Sequence, residues 1–346
     1  MSLRAERLKK SYGKTPVLRE VSFECADGEF FSILGKSGSG KTTLIRIIAG
    51  LETSDGGKLF LNGNDITALP AHTRRIPMVF QNYALFPHLS VLENVAFGLR
   101  EQKKPESEIR PVVLETLKLL SIDDKMYRSP SELSGGEQQR VAIARALAVG
   151  SPITLLDEPL SNLDLELRRA MQKELKAIQR KTGRTFIYIT HDQEEALTLS
   201  DKILILHNGS ALEFGTPEEI YHRPKTLFGA RFIGNANVIR VQTLDKHHLK
   251  TESGLVLMHR ENLQGRYFNV VIRPEHLELA STFGKNTFRA VVLASYFKGA
   301  FFEHTIRLEG VTLSMISSQP LPAEPLICIS KFFIFPLDES LTESVP

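Results

Sequence analysis

Glu29 to Gly50 reads EFFSILGKSGSGKTTLIRIIAG: a short apolar run, a glycine-rich turn and an apolar helical pattern in immediate succession. Within it, Gly35 to Thr42 fits the spacing G-x-x-x-x-G-K-[ST]. Between a strand and a helix, such a turn points successive backbone N–H groups at phosphate oxygens, and the helix adds the positive end of its dipole. Gly35, Lys36, Ser37, Gly38, Ser39 and Gly40 would form the cradle, and Lys41, Thr42 and Thr43 would open the helix. Lys41 would reach the terminal phosphates and Thr42 would hold Mg²⁺. An ordinary glycine-rich turn gives neither residue a reason to be there.

Outward from this stretch, short apolar runs alternate with longer amphipathic ones as far as about residue 220: RIPMVFQ, PITLLDEP, TFIYITH and KILILHNG. The alternation predicts an α/β fold, a parallel sheet covered by helices. Phosphate chemistry with Mg²⁺ needs a carboxylate on the metal side, and ITLLDE supplies Asp157 at a strand end, acting through water, with Glu158 next to it. Glu158 is the candidate general base for the attacking water. A helix N-cap is the plainer use of adjacent acids, but Pro159 comes next and a phosphate loop is present to be served. Gly35, Gln81, Asp157 and His191 all end apolar runs, and open α/β sheets bind ligands along that edge.

Two helices are well marked. After PITLLDEP, Leu163, Leu167, Met171, Leu175 and Ile178 form one stripe that stops at Gly183. LSGGEQQRVAIARAL, Leu133 to Leu147, begins with the capping-box spacing Ser134 and Glu137. Yet Gly135 and Gly136 in its first turn each cost about 1 kcal/mol relative to alanine. Something must approach that backbone closely.

The chain has 346 residues, which implies two or three domains. Lys plus Arg is 43 against 40 for Asp plus Glu, without a basic run, so no electrostatic footprint for nucleic acid is present. Cys25 and Cys328 are far apart and offer neither a metal spacing nor a disulfide framework, as suits a reducing cytoplasm. MSLRAERLKKSYGK lacks the apolar core of a secretory signal. The longest apolar candidate, LICISKFFIFPL, is too short to cross a bilayer and carries Lys331, so any membrane role would be borrowed from partner subunits. From about Asn235 the pattern changes to period-two strands such as GRYFNVVIRPEHLEL. We therefore expect one domain over 1–235, with a helical part near 88–150, and a β-rich domain over 236–346. The halves 238–280 and 286–337 of the latter are candidates for two small barrels.

With the phosphate loop, LSGGEQQR, LLDEP, SNLD and TH in that order, the chain resembles the ATP-binding subunits of ABC transporters over essentially its whole length. The resemblance implies an α/β P-loop NTPase, the ABC ATPase cassette with a helical subdomain, followed by a β-rich, OB-like regulatory domain. It implies ATP and Mg²⁺ as ligands and a head-to-tail homodimer with each nucleotide between two copies. Tyr12 would stack on adenine, Gln81 would contact Mg²⁺ or the attacking water, and His191 would touch the γ-phosphate. Asp164 would arrange the dimer contact beside Glu158. Ser134, Gly135 and Gly136 would meet the phosphate held by the opposite protomer. The family usually has proline where Lys36 stands and alanine where Asn162 stands. Lys36 would add charge near the phosphates or face solvent, and Asn162 could add a hydrogen bond across the dimer. Phe86, Pro87 and Leu89 are expected exposed in a loop that receives a coupling helix, or else packed on the core.

The cassette followed by a β domain containing IRPEH, Ile272 to His276, resembles the importer ATPases that serve polyamines, sugars, iron(III) and oxyanions. MQKELKAIQRK, THDQEEALTLSDKI and YFKGAFFEH are most similar to the spermidine/putrescine importer ATPases, with iron(III) as runner-up solute. The implied partners are a second copy, two transmembrane permease subunits and, indirectly, a periplasmic solute-binding protein, but no nucleic acid. The implied place is the cytoplasmic face of the inner membrane, where the chain would be peripheral. A soluble ABC ATPase acting on DNA would need a long coiled coil or a basic surface, and a ribosome-associated one normally carries two cassettes. A third class, a regulator that restrains transport through its β domain, remains open.

Overall fold

The computed structural model describes residues 3–337. The chain begins with β1 (Leu3–Tyr12), β2 (Thr15–Cys25) and β3 (Phe30–Leu34), then the helix α1 (Lys41–Ala49). Next are β4 (Gly56–Leu61), β5 (Asn64–Asp65), α2 (Ala71–Arg74) and β6 (Met78–Val79). An all-helical stretch succeeds them: α3 (Val91–Glu101), α4 (Glu106–Leu119) and α5 (Gly135–Ala148). The chain then alternates through β7 (Ile153–Asp157), α6 (Leu165–Thr182), β8 (Thr185–Thr190), α7 (Gln193–Leu199), β9 (Lys202–His207) and β10 (Ser210–Gly215).

The central sheet has the order β10-β9-β3-β8-β7-β6, parallel except where β10 turns back along β9. Both of its faces are covered, so β3 and β8 are buried along their whole length and read as continuous apolar runs. Period two then sorts neighbours to opposite faces. Phe30, Phe186 and Tyr188 join one core with α3, α4 and α5. Phe31, Ile187 and Ile189 join the other, with α1 and the antiparallel sheet β2-β1-β4-β5. The stripe of α6 is as expected: Met171, Leu175 and Ile178 are buried, and Gly183 ends the helix at φ 63°.

The chain divides into two compact units between Glu219 and Ile220, inside α8 (Pro217–His222) and ahead of the expected boundary at 235. Residues 220–235 belong to the second unit because α9 (Leu227–Phe232) packs on β14 (Tyr267–Ile272) and Arg273 grips the carbonyls of Tyr221 and Ile233.

The strands ahead of β14 in this second unit are β11 (Asn237–Asp245), β12 (His248–Lys250) and β13 (Val256–Met258). After β14 come β15 (Leu277–Ala280), β16 (Thr287–Phe297), β17 (Phe302–Leu308), β18 (Val311–Ser317), β19 (Leu326–Ile329) and β20 (Phe333–Pro336). They form two antiparallel sheets, β13-β12-β11-β14-β20 and β15-β19-β16-β17-β18. The expectation of two barrels built from successive halves is therefore incorrect. The last strand returns to pair with β14, β15 pairs with β19, and both sheets share one core that includes Val241, Phe268, Ile306 and Ile327.

Candidate nucleotide site

Because β3, β6, β7 and β8 run parallel, their C-terminal ends share one edge. Gly35 follows β3, Gln81 follows β6, Asp157 closes β7 and His191 follows β8.

The loop after β3 is shaped by its glycines. A Cβ on Gly35 would lie 2.3 Å from the Leu206 carbonyl oxygen, and Gly38 and Gly40 have φ of 79° and 102°, which favours glycine. Gly40 is the N-cap of α1 and offers no side chain, so nothing competes for the N–H groups of Lys41, Thr42 and Thr43. Lys41 is buried, and its Nζ donates to the carbonyls of Gly35 at 2.8 Å and Lys36 at 3.1 Å. Burial holds its pKa below the usual lysine value against the opposing pull of Glu158 and Asp157. Asp157 is pushed up, first by burial and then by the charge of Glu158. Ser39 is buried with its hydroxyl unpartnered, whereas Lys36, Ser37, Gly38 and Thr42 are exposed.

Glu158 follows β7 with a left-handed φ of 45°, a conformation that a non-glycine residue keeps only when its surroundings over-determine it. Its N–H donates to Ile189 at 3.1 Å and its carbonyl accepts from Ser161 Oγ at 2.9 Å. Its Oε2 then lies 3.0 Å from His191 Nδ1. Gln81 joins through Ser161, to which its Nε2 donates at 3.3 Å. Asn162 Nδ2 donates to the Gln81 carbonyl at 3.0 Å, so within its own chain this departure from alanine ties two loops together. Asp164 caps α6 by accepting from Leu167 N at 2.9 Å. Behind His191, the hydroxyls of Thr190 and Tyr188 donate to the buried Glu195, which fixes the end of β8.

Tyr12 ends β1 with its ring half exposed, its hydroxyl donating to Glu52 at 3.1 Å and the Lys10 ammonium 5.4 Å from the ring centre. Ser134, Gly135 and Gly136 stand apart from these groups at the start of α5. The capping box is formed: Ser134 N donates to Glu137 Oε2 at 2.8 Å and Ser134 Oγ accepts from Glu137 N at 3.4 Å. Gly136 has a reason within its own chain, since a Cβ there would lie 2.9 Å from Leu167 Cδ2. Gly135 has none, because the nearest atom would be Leu163 Cδ2 at 4.0 Å.

Beyond Gln81, Pro87 is exposed but Phe86 and Leu89 are half-buried, so the loop is less open than its sequence suggests. Two residues there escape a reading by motif. Asn94, a polar residue on the apolar face of α3, is fully buried and donates to the carbonyls of Phe86, Leu89 and Ser90. Arg145, in the alanine-rich end of α5, donates to Tyr83 and Ala84.

Among the described residues no group of three or more His, Cys, Asp or Glu could hold a metal ion. The Thr42 hydroxyl, the Gln81 amide and the Asp157 carboxylate are a sparse set of hard oxygen donors at one sheet edge. Such a set fits Mg²⁺, which keeps several waters and is held largely through substrate phosphates. No helix among the described residues is long and apolar enough to cross a membrane.

A phosphate loop and a glutamate–histidine pair on one sheet edge, with a helical insertion carrying LSGGEQQR and a strand-rich second unit, define an ATP-binding cassette protein. The ABC transporter family matches residues 18–161 and the TOBE domain family residues 270–326. The chain is 46% identical over 312 residues to the spermidine/putrescine import ATP-binding protein PotA of Mannheimia succiniciproducens, covering 87% of this chain and 84% of that protein. It is 43% identical over 325 residues to the protein of the same name from Vibrio cholerae, covering 91% and 86%. Among solved structures it is similar to the dimeric ATP-binding cassette MJ0796 bound to ADP and Pi in a post-hydrolysis state. That match has a TM-score of 0.56 and 32% identity over 62% of this chain and 98% of the other. The chain belongs to the family of ABC transporter ATP-binding subunits and is an ATPase of that class.

Proposed function

We propose that this chain powers import of a polyamine, spermidine or putrescine, as a homodimer on the cytoplasmic face of the inner membrane. It would act on two permease subunits that receive solute from a periplasmic binding protein. The observation that carries the solute is the 46% identity to a spermidine/putrescine import protein over 87% of the chain, a span that includes the strand-rich unit as well as the cassette. Phe86, Pro87 and Leu89 present the surface that a permease helix would meet.

In the proposed mechanism the N–H groups of the loop from Gly35 to Gly40 and of Lys41, Thr42 and Thr43 bind the phosphates, and Lys41 neutralises their charge. Lys36 faces solvent beside them. Tyr12 offers its ring face to adenine. Thr42, Gln81 and, through water, Asp157 would hold Mg²⁺, which supplies charge neutralisation between phosphate oxygens when bound. Glu158 orients the attacking water and takes up its proton, with its carboxylate aimed by His191. Ser134, Gly135 and Gly136 of the second copy close the site from the other side, and Asp164 holds the adjoining turn.

Uptake of labelled spermidine, putrescine and iron(III), in cells with and without this gene, tests the solute. Loss of polyamine uptake alone is the expected result. Loss of iron uptake with polyamine uptake intact would transfer the assignment to iron(III).

A further inference from the structure

The chain from Gln81 to Ser90 is gripped from two different bodies. At its start, Asn162 holds the Gln81 carbonyl and Ser161 the Gln81 side chain, both from the loop just after Glu158. From Tyr83 onward the grip passes to the helical insertion. Arg145 Nη1 donates to the Ala84 carbonyl at 2.7 Å and Nη2 to the Tyr83 carbonyl at 2.9 Å, and the guanidinium lies 5.3 Å from the centre of the Phe86 ring. Asn94 secures the remainder, accepting from Phe86 N at 2.9 Å and donating to Phe86, Leu89 and Ser90. Only Asn82 separates the two grips.

Tyr83 and Ala84 are consecutive non-glycine residues with φ of 61° and 46°. L-residues adopt that conformation only where the surroundings impose it. Turn bonds from Tyr83 N to Phe80 at 2.9 Å and from Ala84 N to Asn82 at 2.7 Å shape the segment, and the planar fork of Arg145 locks it, its two donors meeting two successive carbonyls. Lysine, a single ammonium on a flexible stem, does not reproduce this geometry.

Arg145 also lies on the helix whose N-terminus carries Ser134, Gly135 and Gly136, about 14 Å away at 1.5 Å per residue. In the dimer proposed above, that N-terminus serves the nucleotide of the other copy, while Gln81 serves the nucleotide of its own. We infer that Arg145 is a positioning residue that couples the two nucleotide sites, making the loop from Tyr83 to Ser90, and with it Gln81, follow α5 when its N-terminus engages the opposite nucleotide. The inference rests on the dimeric ATPase reading and goes beyond it by assigning the coupling to one side chain.

The test uses the full chain as wild type, Arg145→Lys and Arg145→Met; methionine keeps an apolar stem beside Phe86. Two quantities are measured: the dependence of hydrolysis on ATP concentration, and hydrogen exchange of the amides from 82 to 90. Cooperativity is bounded by the number of sites, so the wild type should show a Hill coefficient approaching about 2. Arg145→Met should bring it to about 1, with exchange raised in the loop and unchanged in α3 and α5, and Arg145→Lys should fall between. A wild type without cooperativity, or an Arg145→Met protein as cooperative as wild type, overturns the inference. If Arg145→Met loosens the whole chain, Arg145→Lys decides, and full cooperativity there overturns it as well. A Glu158→Gln protein that stays monomeric at saturating ATP would instead overturn the dimeric reading beneath it.

Discussion

His191 Nδ1 lies 3.0 Å from Glu158 Oε2, and the two residues follow neighbouring parallel strands, β8 and β7. The same pairing lets Ile189, two residues before the histidine, accept the Glu158 N–H and hold that backbone in its left-handed conformation. Carboxylate and imidazole are thus set by one register of the sheet, not by two independent loops.

Glu158→Gln should keep ATP binding and ATP-dependent dimerisation while hydrolysis falls about 10²- to 10⁴-fold, the usual worth of a general base. Glutamine preserves the shape and loses the ability to take a proton. Phosphate release at saturating ATP, alongside size-exclusion chromatography with and without ATP, measures both. Full turnover in this variant would remove Glu158 from the catalytic role. His191→Ala should slow hydrolysis with little change in ATP affinity, since the imidazole aims the carboxylate.

The two glycines that open α5 should separate function from folding. Gly135→Ala meets no atom closer than Leu163 Cδ2 at 4.0 Å and gains helix propensity, so it should stabilise the chain by up to about 1 kcal/mol. Gly136→Ala crowds Leu167 Cδ2 at 2.9 Å, and the shift forced on that half-buried side chain should offset the gain. Gly135→Ala should nevertheless lose ATP-dependent dimerisation, because its methyl group would stand where the opposite phosphate is proposed to approach. A protein with a raised melting temperature and undiminished dimerisation would leave Gly135 without a function.

Those glycines also mark how far the sequence could be read. The phosphate loop, the capping box and the stripe of α6 were legible because each depends on local spacing, and local spacing survives folding. Gly136 was only half legible: its partner Leu167 lies about thirty residues on in the sequence, so packing against it left no local trace. The left-handed Tyr83 and Ala84 gave no signal either, because nothing in their side chains favours that conformation; it is held by local turn bonds and by Arg145, which lies some sixty residues on. In the second unit, alternation identified strands but not their partners. The return of β20 to β14 was invisible, and so was the single core it creates. The bond from the Asn162 amide to the Gln81 carbonyl had no trace either, since the two residues lie about eighty positions apart in the sequence.

Acid should weaken three capping boxes together, at the starts of α3, of a 3₁₀ turn (Pro130–Glu132) and of α5. Glu93, Glu132 and Glu137 each accept a backbone N–H from the serine three residues before, at 2.8, 2.7 and 2.8 Å, and that bond holds each carboxyl below its ordinary range. A carboxylate with a lowered folded-state pKa contributes stability that is fully present above its unfolded value, about 4.5, and is lost as pH falls through the lowered one. Unfolding followed from pH 6 down to about 3 should therefore show stability falling below about pH 4.5. Glu137→Gln, which can still cap but does not titrate, should make that fall shallower. An identical slope in the variant would show that the α5 cap does not contribute to it.

The motif IRPEH should prove to be a clamp within the second unit. Arg273 is fully buried, donates Nη2 to the Tyr221 carbonyl at 2.6 Å and Nη1 to the Ile233 carbonyl, and stacks over the Tyr221 ring at 3.8 Å. The Tyr221 hydroxyl donates in turn to Glu275 of the same motif, and burial together with that carboxylate pushes its pKa up to about 12, so it stays a donor at any physiological pH. Arg273→Met would leave the Tyr221 and Ile233 carbonyls without this donor, which costs about 2–6 kcal/mol at the usual 1–3 per unsatisfied group. Arg273→Lys should recover only part of this, because one ammonium cannot span carbonyls that a fork reaches from two sides. Denaturant unfolding should show the loss in the transition of the second unit, while ATP binding by the first is retained. If that transition kept its midpoint in Arg273→Met, the segment from Ile220 to Ile233 would have to be held by the packing of α9 on β14 and the bonds from Tyr221 to Glu275 and from Lys331 to the His222 carbonyl, without the guanidinium.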